Sequence, residues 1–168
     1  MINPVGSENI FDNLKPLKDE LGLGRELLVE VCKKLKINFM EHTMEDDDDS
    51  VSIGFWPRRT VPVVLGIHKD ENGAVVFKSE AQCLPFPQEK RIAFLKDSLS
   101  IAHSSFSNVS APGDGWLYSC ENKEASELTL QCIIESVQRI TTTSLYLQKT
   151  LSSKYEITPP NIKEDSWE

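Results

Sequence analysis

The chain has 168 residues, 39% of them hydrophobic and 26% charged, with a formal net charge of −8 at pH 7. That length suits one domain, since a second independent core would be small and marginal, and the composition excludes the disordered class. The acidic balance keeps a protein in solution and disfavours nucleic acid and anionic membrane as partners, leaving protein partners with basic or apolar surface.

Residues 1–23 read as an N-terminal helical extension. Ile10, Phe11, Leu14, Leu17 and Leu21 fall near one helical face, with Ser7 as N-cap and Pro16 as a kink or break. Gly22-Leu23-Gly24 then punctuates the chain. The segment RELLVEVCKKLK is a clearer helix: Leu27, Leu28, Val31, Cys32 and Leu35 form one stripe, and Glu26, Glu30, Lys33 and Lys34 point away. Its basic residues gather at the C-terminal end, where the helix dipole favours cations.

The period then changes from 3.6 to 2. Strands are expected near 37–43, 51–56, 60–68 and 74–84, joined by the turn-like connectors EDDDDS, PRR and DENG. Asn72-Gly73 between apolar runs is a strong hairpin signal, and Pro62 suits an edge strand or a strand beginning. Val51, Ile53 and Phe55 project together, as do Val63, Leu65 and Ile67, and Val75, Phe77, Ala81 and Cys83. The other face carries Ser52, Gly54, Gly66, Lys78, Glu80 and Gln82, with the apolar Trp56, Val64 and Val76 among them. Such alternation describes an antiparallel sheet with helices on one face and water on the other.

Pro85-Phe86-Pro87 ends the strands, and Ile92, Phe94, Leu95, Leu99, Ile101 and Ala102 restore a helical period. A turn at Pro112–Gly115 precedes a strand at 116–120. Ser126 is a candidate cap for a last long helix through Leu151, weakened at Thr141–Thr143; Leu128–Cys132 also fits one more strand. Residues 153–168 lack periodicity and read as a flexible acidic tail. The division is thus an extension over 1–23, a single α+β domain over 24–152, and the tail.

Cys32, Cys83, Cys120 and Cys132 form no C-x-x-C pair and lie among apolar neighbours, as reduced, buried thiols do. The opening MINPVGSENIF has neither the basic nor the apolar region of a secretory signal, so a cytoplasmic location is expected and the Asn108-Val109-Ser110 sequon is read as accidental. No apolar run approaches the roughly 18 residues that cross a bilayer.

Glu45–Asp49 invites a calcium reading, but an EF-hand loop begun at Asp46 would need glycine and glutamate where the chain has Val51 and Pro57. A solvated hairpin loop fits better. His42, His68 and His103 show no metal-ligand spacing, Gly22-Leu23-Gly24 is only half a dinucleotide fingerprint, and no nucleophile elbow or P-loop occurs. No catalytic residue, metal ligand or cofactor is expected. Trp56-Pro57-Arg58-Arg59 is the one concentration of basic charge beside an aromatic; it suits guanidinium pairing or stacking on a partner, or a plain turn with its arginines in water.

The phrases RELLVEVCKKLKINFMEH, VSIGFW–VPVVLGIHKD–AVVFKSEAQCLPFP, QEKRIAFLKDSLSIAHSSF and GWLYSC, with the helix ending in SLYLQKTL, follow an order that resembles the type III secretion chaperone-like fold, including the YbjN-like proteins. The strand-to-helix phrase LPFPQEKRIAFL is similar to the YbjN-like pattern. The resemblance covers roughly residues 24–151 and rests on architecture rather than on a short motif. It implies a non-enzymatic, partner-binding role, often as a homodimer, with no catalytic residues to transfer. The expected function is a chaperone-like or regulatory protein-binding module. Its candidate contacts are Trp56, Val64 and Val76, with Arg58 and Arg59. The alternatives are a small hydrolase or metal-dependent enzyme assembled only by folding, favoured by converging histidines and carboxylates, and a structural subunit using the tail as an arm.

Overall fold

The computed structural model describes residues 19–57, 61–105 and 107–160. Most of the expected N-terminal extension, Arg58 and Arg59, and the end of the tail lie outside these residues. In chain order the elements are α1 (Glu20–Leu35), α2 (Phe39–His42), β1 (Thr43–Asp46), β2 (Ser50–Phe55), β3 (Val63–Lys69), β4 (Val75–Pro85), α3 (Arg91–Ser104), β5 (Asn108–Ser110), β6 (Trp116–Glu124) and α4 (Leu130–Tyr155). The strands form one antiparallel sheet in the order β1-β2-β3-β4-β6-β5.

α1 begins earlier than the glycines suggested. Asp19 caps it, accepting from the Gly22 amide at 2.8 Å, and the helix runs straight through Gly22-Leu23-Gly24. Gly24 is there for packing: a Cβ at this position would stand 2.6 Å from Ile67 Cδ1 of β3. The glycine that reads as a break in the sequence is a point of close helix–sheet approach.

The expected strand at 37–43 is instead a single helical turn followed by β1. Asn38 accepts from the Met40 amide at 3.1 Å and nucleates α2, and Thr43 ends it in an extended conformation. The Asn72-Gly73 hairpin forms as expected, with Gly73 at φ +80° and Asp70 Oδ1 accepting from Asn72 and Ala74. Pro62 immediately precedes β3, an interior strand, so it marks a strand beginning. β6 runs on to Glu124, past the expected end at Cys120, and pairs along β4 from Trp116 to Glu124. Thr129, not Ser126, caps α4, accepting from Cys132 at 3.1 Å. α4 is continuous across Thr141–Thr143 and ends at Tyr155, three residues into the segment read as tail.

The covered face carries two apolar clusters. Under α1 and the first half of α4, Val51, Ile53, Leu65, Ile67 and Phe77 meet Leu28, Val31 and Ile140. Under α3 and the end of α4, Leu84, Phe94, Leu117, Leu147 and Leu151 form the second, on which Tyr155 and Ile157 also pack. Fully burying side chains of this kind contributes about 1.5–3 kcal/mol each, so these two clusters supply the main drive to fold.

Candidate functional site

Three regions bring polar or exposed apolar groups together: a buried polar seam, the open face of the sheet, and a groove at the end of β2.

The seam lies between α4 and strands β4 and β6. Glu121 of β6 is buried, and Arg139 donates to both of its oxygens, Nε to Oε1 at 2.7 Å and Nη2 to Oε2 at 3.0 Å. Ser136 Oγ donates to Oε2 at 2.8 Å; its one proton thus committed, it accepts from Ser79 Oγ at 2.7 Å. The Glu121 carboxylate pushes the Arg139 guanidinium still higher. Further along α4, Ser144 lies 2.9 Å from Cys83 Sγ, and Thr143 lies 2.9 Å from Ser107 Oγ. No imidazole stands among these partners. Burial pushes the Cys83 thiol up to about 12, so it stays protonated at neutral pH and is no nucleophile. The seam orders the helix on the sheet.

On the open face, Val64 lies opposite Gly54 and Glu80, and Val76 lies opposite His68 and Glu124. Both valines are half-buried. The register separates them by four positions along the strands, about 13 Å. Lys78 and Glu80 pair between them at 2.8 Å. Ser52 and Gly54 are buried, although they belong to this face; Met44 covers Gly54, where a Cβ would meet its Sδ at 2.7 Å.

Trp56 follows β2 and is not grouped with the two valines. It lines a groove of about 540 Å³ between the end of α1 and α4. Ile134, Val137, Thr141 and Leu145 of α4 form one wall; Leu35 and Ile37 stand across from them. From Ile134 to Leu145 the wall is about 16 Å long. Among the described residues, Lys34 and Lys36 are the only charged ones lining it. Inside, the buried Thr141 hydroxyl has no hydrogen-bond partner among the described residues. A smaller hollow of about 290 Å³ shares Lys36 and Trp56 and is completed by Asn38, Glu41 and His42. Another cavity, of about 550 Å³, lies between Phe86–Lys90 and Lys154–Thr158, where two lysines and two glutamates balance. Sequence periodicity placed Trp56 on a strand face; its approach to α4 depends on contacts far apart in the chain.

The other candidates fall into place as structure. Asp47 closes the β1–β2 hairpin, accepting from the Asp49 and Ser50 amides at 2.9 and 2.7 Å, which hold its carboxyl below the usual range. Arg25 pairs with Asp46, and Lys69 with Asp49. Among the described residues no group of three His, Cys, Asp or Glu is placed to hold a metal ion. His42 on α2 is buried with Nδ1 3.0 Å from the Gly54 carbonyl, whereas His68 is on β3 and His103 at the end of α3. All four cysteines are free; Cys32, Cys83 and Cys120 are buried, and Cys132 is half-buried in the first turn of α4. No helix among the described residues is long and apolar enough to cross a membrane.

No protein-family model matches the chain, and no curated protein is significantly similar to it. Solved structures are similar in fold. A chain of the ExsC–ExsE complex matches with a TM-score of 0.61 and 15% identity, over 80% of this chain and 97% of that one. A chain of the HopA1–SchA chaperone–effector complex matches at 0.57 and 10%, over 80% and 100%. The protein has the type III secretion chaperone-like fold. YbjN from E. coli matches at 0.47 and 14%, over 79% of this chain and 94% of its own. At these identities the likeness is one of architecture, and it agrees with the order of elements expected from the sequence.

Proposed function

We propose that the protein is a non-enzymatic, chaperone-like or regulatory binding module that acts in the cytoplasm, as a homodimer, on a protein partner. The apolar groove at Trp56 carries this reading: exposed apolar surface rimmed by polar residues is what a protein-binding site presents. The contact set is Trp56, Val64 and Val76, with Arg58 and Arg59 next along the chain. The HopA1–SchA neighbour was determined as a chaperone–effector complex, and a client segment is the corresponding occupant here. Support for the homodimer comes from α3, where Ile92 and Leu99 are 73% and 57% exposed. They are two turns apart on one face, beside the buried side that carries Phe94, Ser98 and Ala102.

Affinity capture with the wild type, followed by titration of the purified partner, tests the binding role. Trp56→Ser combined with Val64→Thr is expected to weaken that partner about tenfold or more while leaving the melting curve cooperative, as loss of a central aromatic anchor does. Unchanged affinity would remove the contact assignment. Ile92→Lys with Leu99→Lys is expected to halve the mass seen by light scattering; a wild-type monomer would remove the dimer.

A further inference from the structure

We propose that the groove between α1 and α4 takes an acidic segment of the partner. An apolar side chain enters beside Trp56, and flanking carboxylates rest on Lys34 and Lys36. This rests on the protein-binding reading above and adds the chemistry of the segment bound. The argument is one of charge. The chain carries a net −8, a balance that repels an acidic ligand nearly everywhere. Four lysines elsewhere are neutralised in place, Lys33 by Glu30, Lys69 by Asp49, Lys78 by Glu80 and Lys154 by Asp97, while Lys90, Lys96, Lys123 and Lys149 form no ion pair among the described residues. Lys34 and Lys36 likewise have no carboxylate partner among the described residues, but they line an apolar groove in which no described residue is acidic; Glu41 lies in the adjoining hollow that Lys36 also borders.

Lys36 is also held at φ 60° as the C-cap of α1, a left-handed position where glycine or asparagine is relaxed. A lysine there costs the helix conformational ease and places a cation at the groove's mouth. Beneath the lysines the wall is apolar along Ile134 and Leu145, and the Thr141 hydroxyl, without a hydrogen-bond partner among the described residues, supplies one hydrogen-bonding group inside. An acidic segment with an apolar anchor complements each part: lysines to carboxylates, the Trp56 wall to the anchor. A basic segment would meet the same wall with its charges opposed.

The test uses two synthetic peptides with identical leucines and one tryptophan, flanked in one by glutamates and in the other by lysines, titrated into the full chain labelled with 15N. The acidic peptide is expected to shift the Trp56 indole signal and the amides of Thr141–Leu145. Its affinity is expected to fall with added salt, and to drop about tenfold in Lys34→Glu/Lys36→Glu, while the lysine peptide binds at least tenfold more weakly to the wild type. Lys34→Gln/Lys36→Asn, which keeps a residue suited to the left-handed cap, is expected to weaken the acidic peptide in the same direction and guards against a folding defect. Absence of binding by the acidic peptide, equal binding of both peptides, or shifts confined to another surface would overturn the proposal. Capture of the natural partner separates the two levels: a partner still held by Lys34→Glu/Lys36→Glu sinks the acidic seat alone, whereas no specific partner for the wild type sinks the binding role.

Discussion

Under α1 the sheet buries Val51, Ile53, Leu65 and Ile67 against Leu28, Val31 and Cys32, while under α4 it presents Ser79, Cys83 and Glu121 to Ser136, Arg139 and Ser144. The first contact is non-directional: apolar side chains of about the right volume satisfy it in more than one alignment. The second is directional. Sliding α4 by one turn would separate Arg139 from Glu121 and leave buried hydroxyls without partners, each loss costing about 1–3 kcal/mol. The α1 contact therefore supplies cohesion alone, while α4 adds register to the cohesion of its own Ile140, Leu147 and Leu151. The groove is bounded by both, with Lys34–Ile37 on one side and Ile134–Leu145 on the other. Its width is set by where the seam locks α4.

The largest effect is expected from breaking cohesion. Phe77→Ala, at a fully buried position in the α1-side cluster, should cost about 4 kcal/mol in urea unfolding. Arg139→Ala should cost about 3 kcal/mol, because it strands the Glu121 carboxylate with Ser136 as its remaining side-chain partner. If Arg139→Ala costs only a few tenths, the seam is ornamental and the contrast between the halves fails. A sharper form replaces both charges: Glu121→Leu with Arg139→Met should recover most of the stability while lowering hydrogen-exchange protection along α4. Gly24→Ala comes next, at about 1 kcal/mol: overpacking against Ile67 outweighs the helix propensity gained over glycine. Stabilisation by this substitution would show that α1 can lift off β3 without loss.

The same contrast explains what could be read from the sequence. The covered residues of β2, β3 and β4 were legible because period-2 alternation requires only that a side chain be apolar, and Val51 through Cys83 all fall on the buried side as expected. The β6 continuation was not legible. Glu121-Asn122-Lys123-Glu124 reads as a polar loop, and Glu121 is tolerable inside only because Arg139 arrives from 18 residues away. β5 is three residues long inside a polar stretch, too short to show a period. Gly22-Leu23-Gly24 misled because the reason for Gly24 is Ile67, 43 positions further on. Of the candidate site, the residue Trp56 could be named, but the groove around it could not, since its walls come from α1, β2 and α4.

The smallest effect belongs to the junction of α3 and α4, where Asp97 Oδ2 accepts from Lys154 at 2.5 Å and from Tyr155 at 2.6 Å. Lys154 first, and Tyr155 second, hold its carboxyl below the usual range. A carboxylate with a lowered native pKa binds fewer protons folded than unfolded as acid is added. Its contribution is therefore complete above the ordinary aspartate value of about 4 and disappears as pH falls through the lower native value. The site is exposed, so the size is small and screened by salt. Asp97→Asn should lower the melting temperature slightly and by a constant amount from pH 7 to about pH 5, with the difference from wild type shrinking below pH 4. A gap that instead widened in acid would mean that this pair does not hold the end of α4 to α3. The second apolar cluster, around Phe94 and Leu151, would then be holding that end alone.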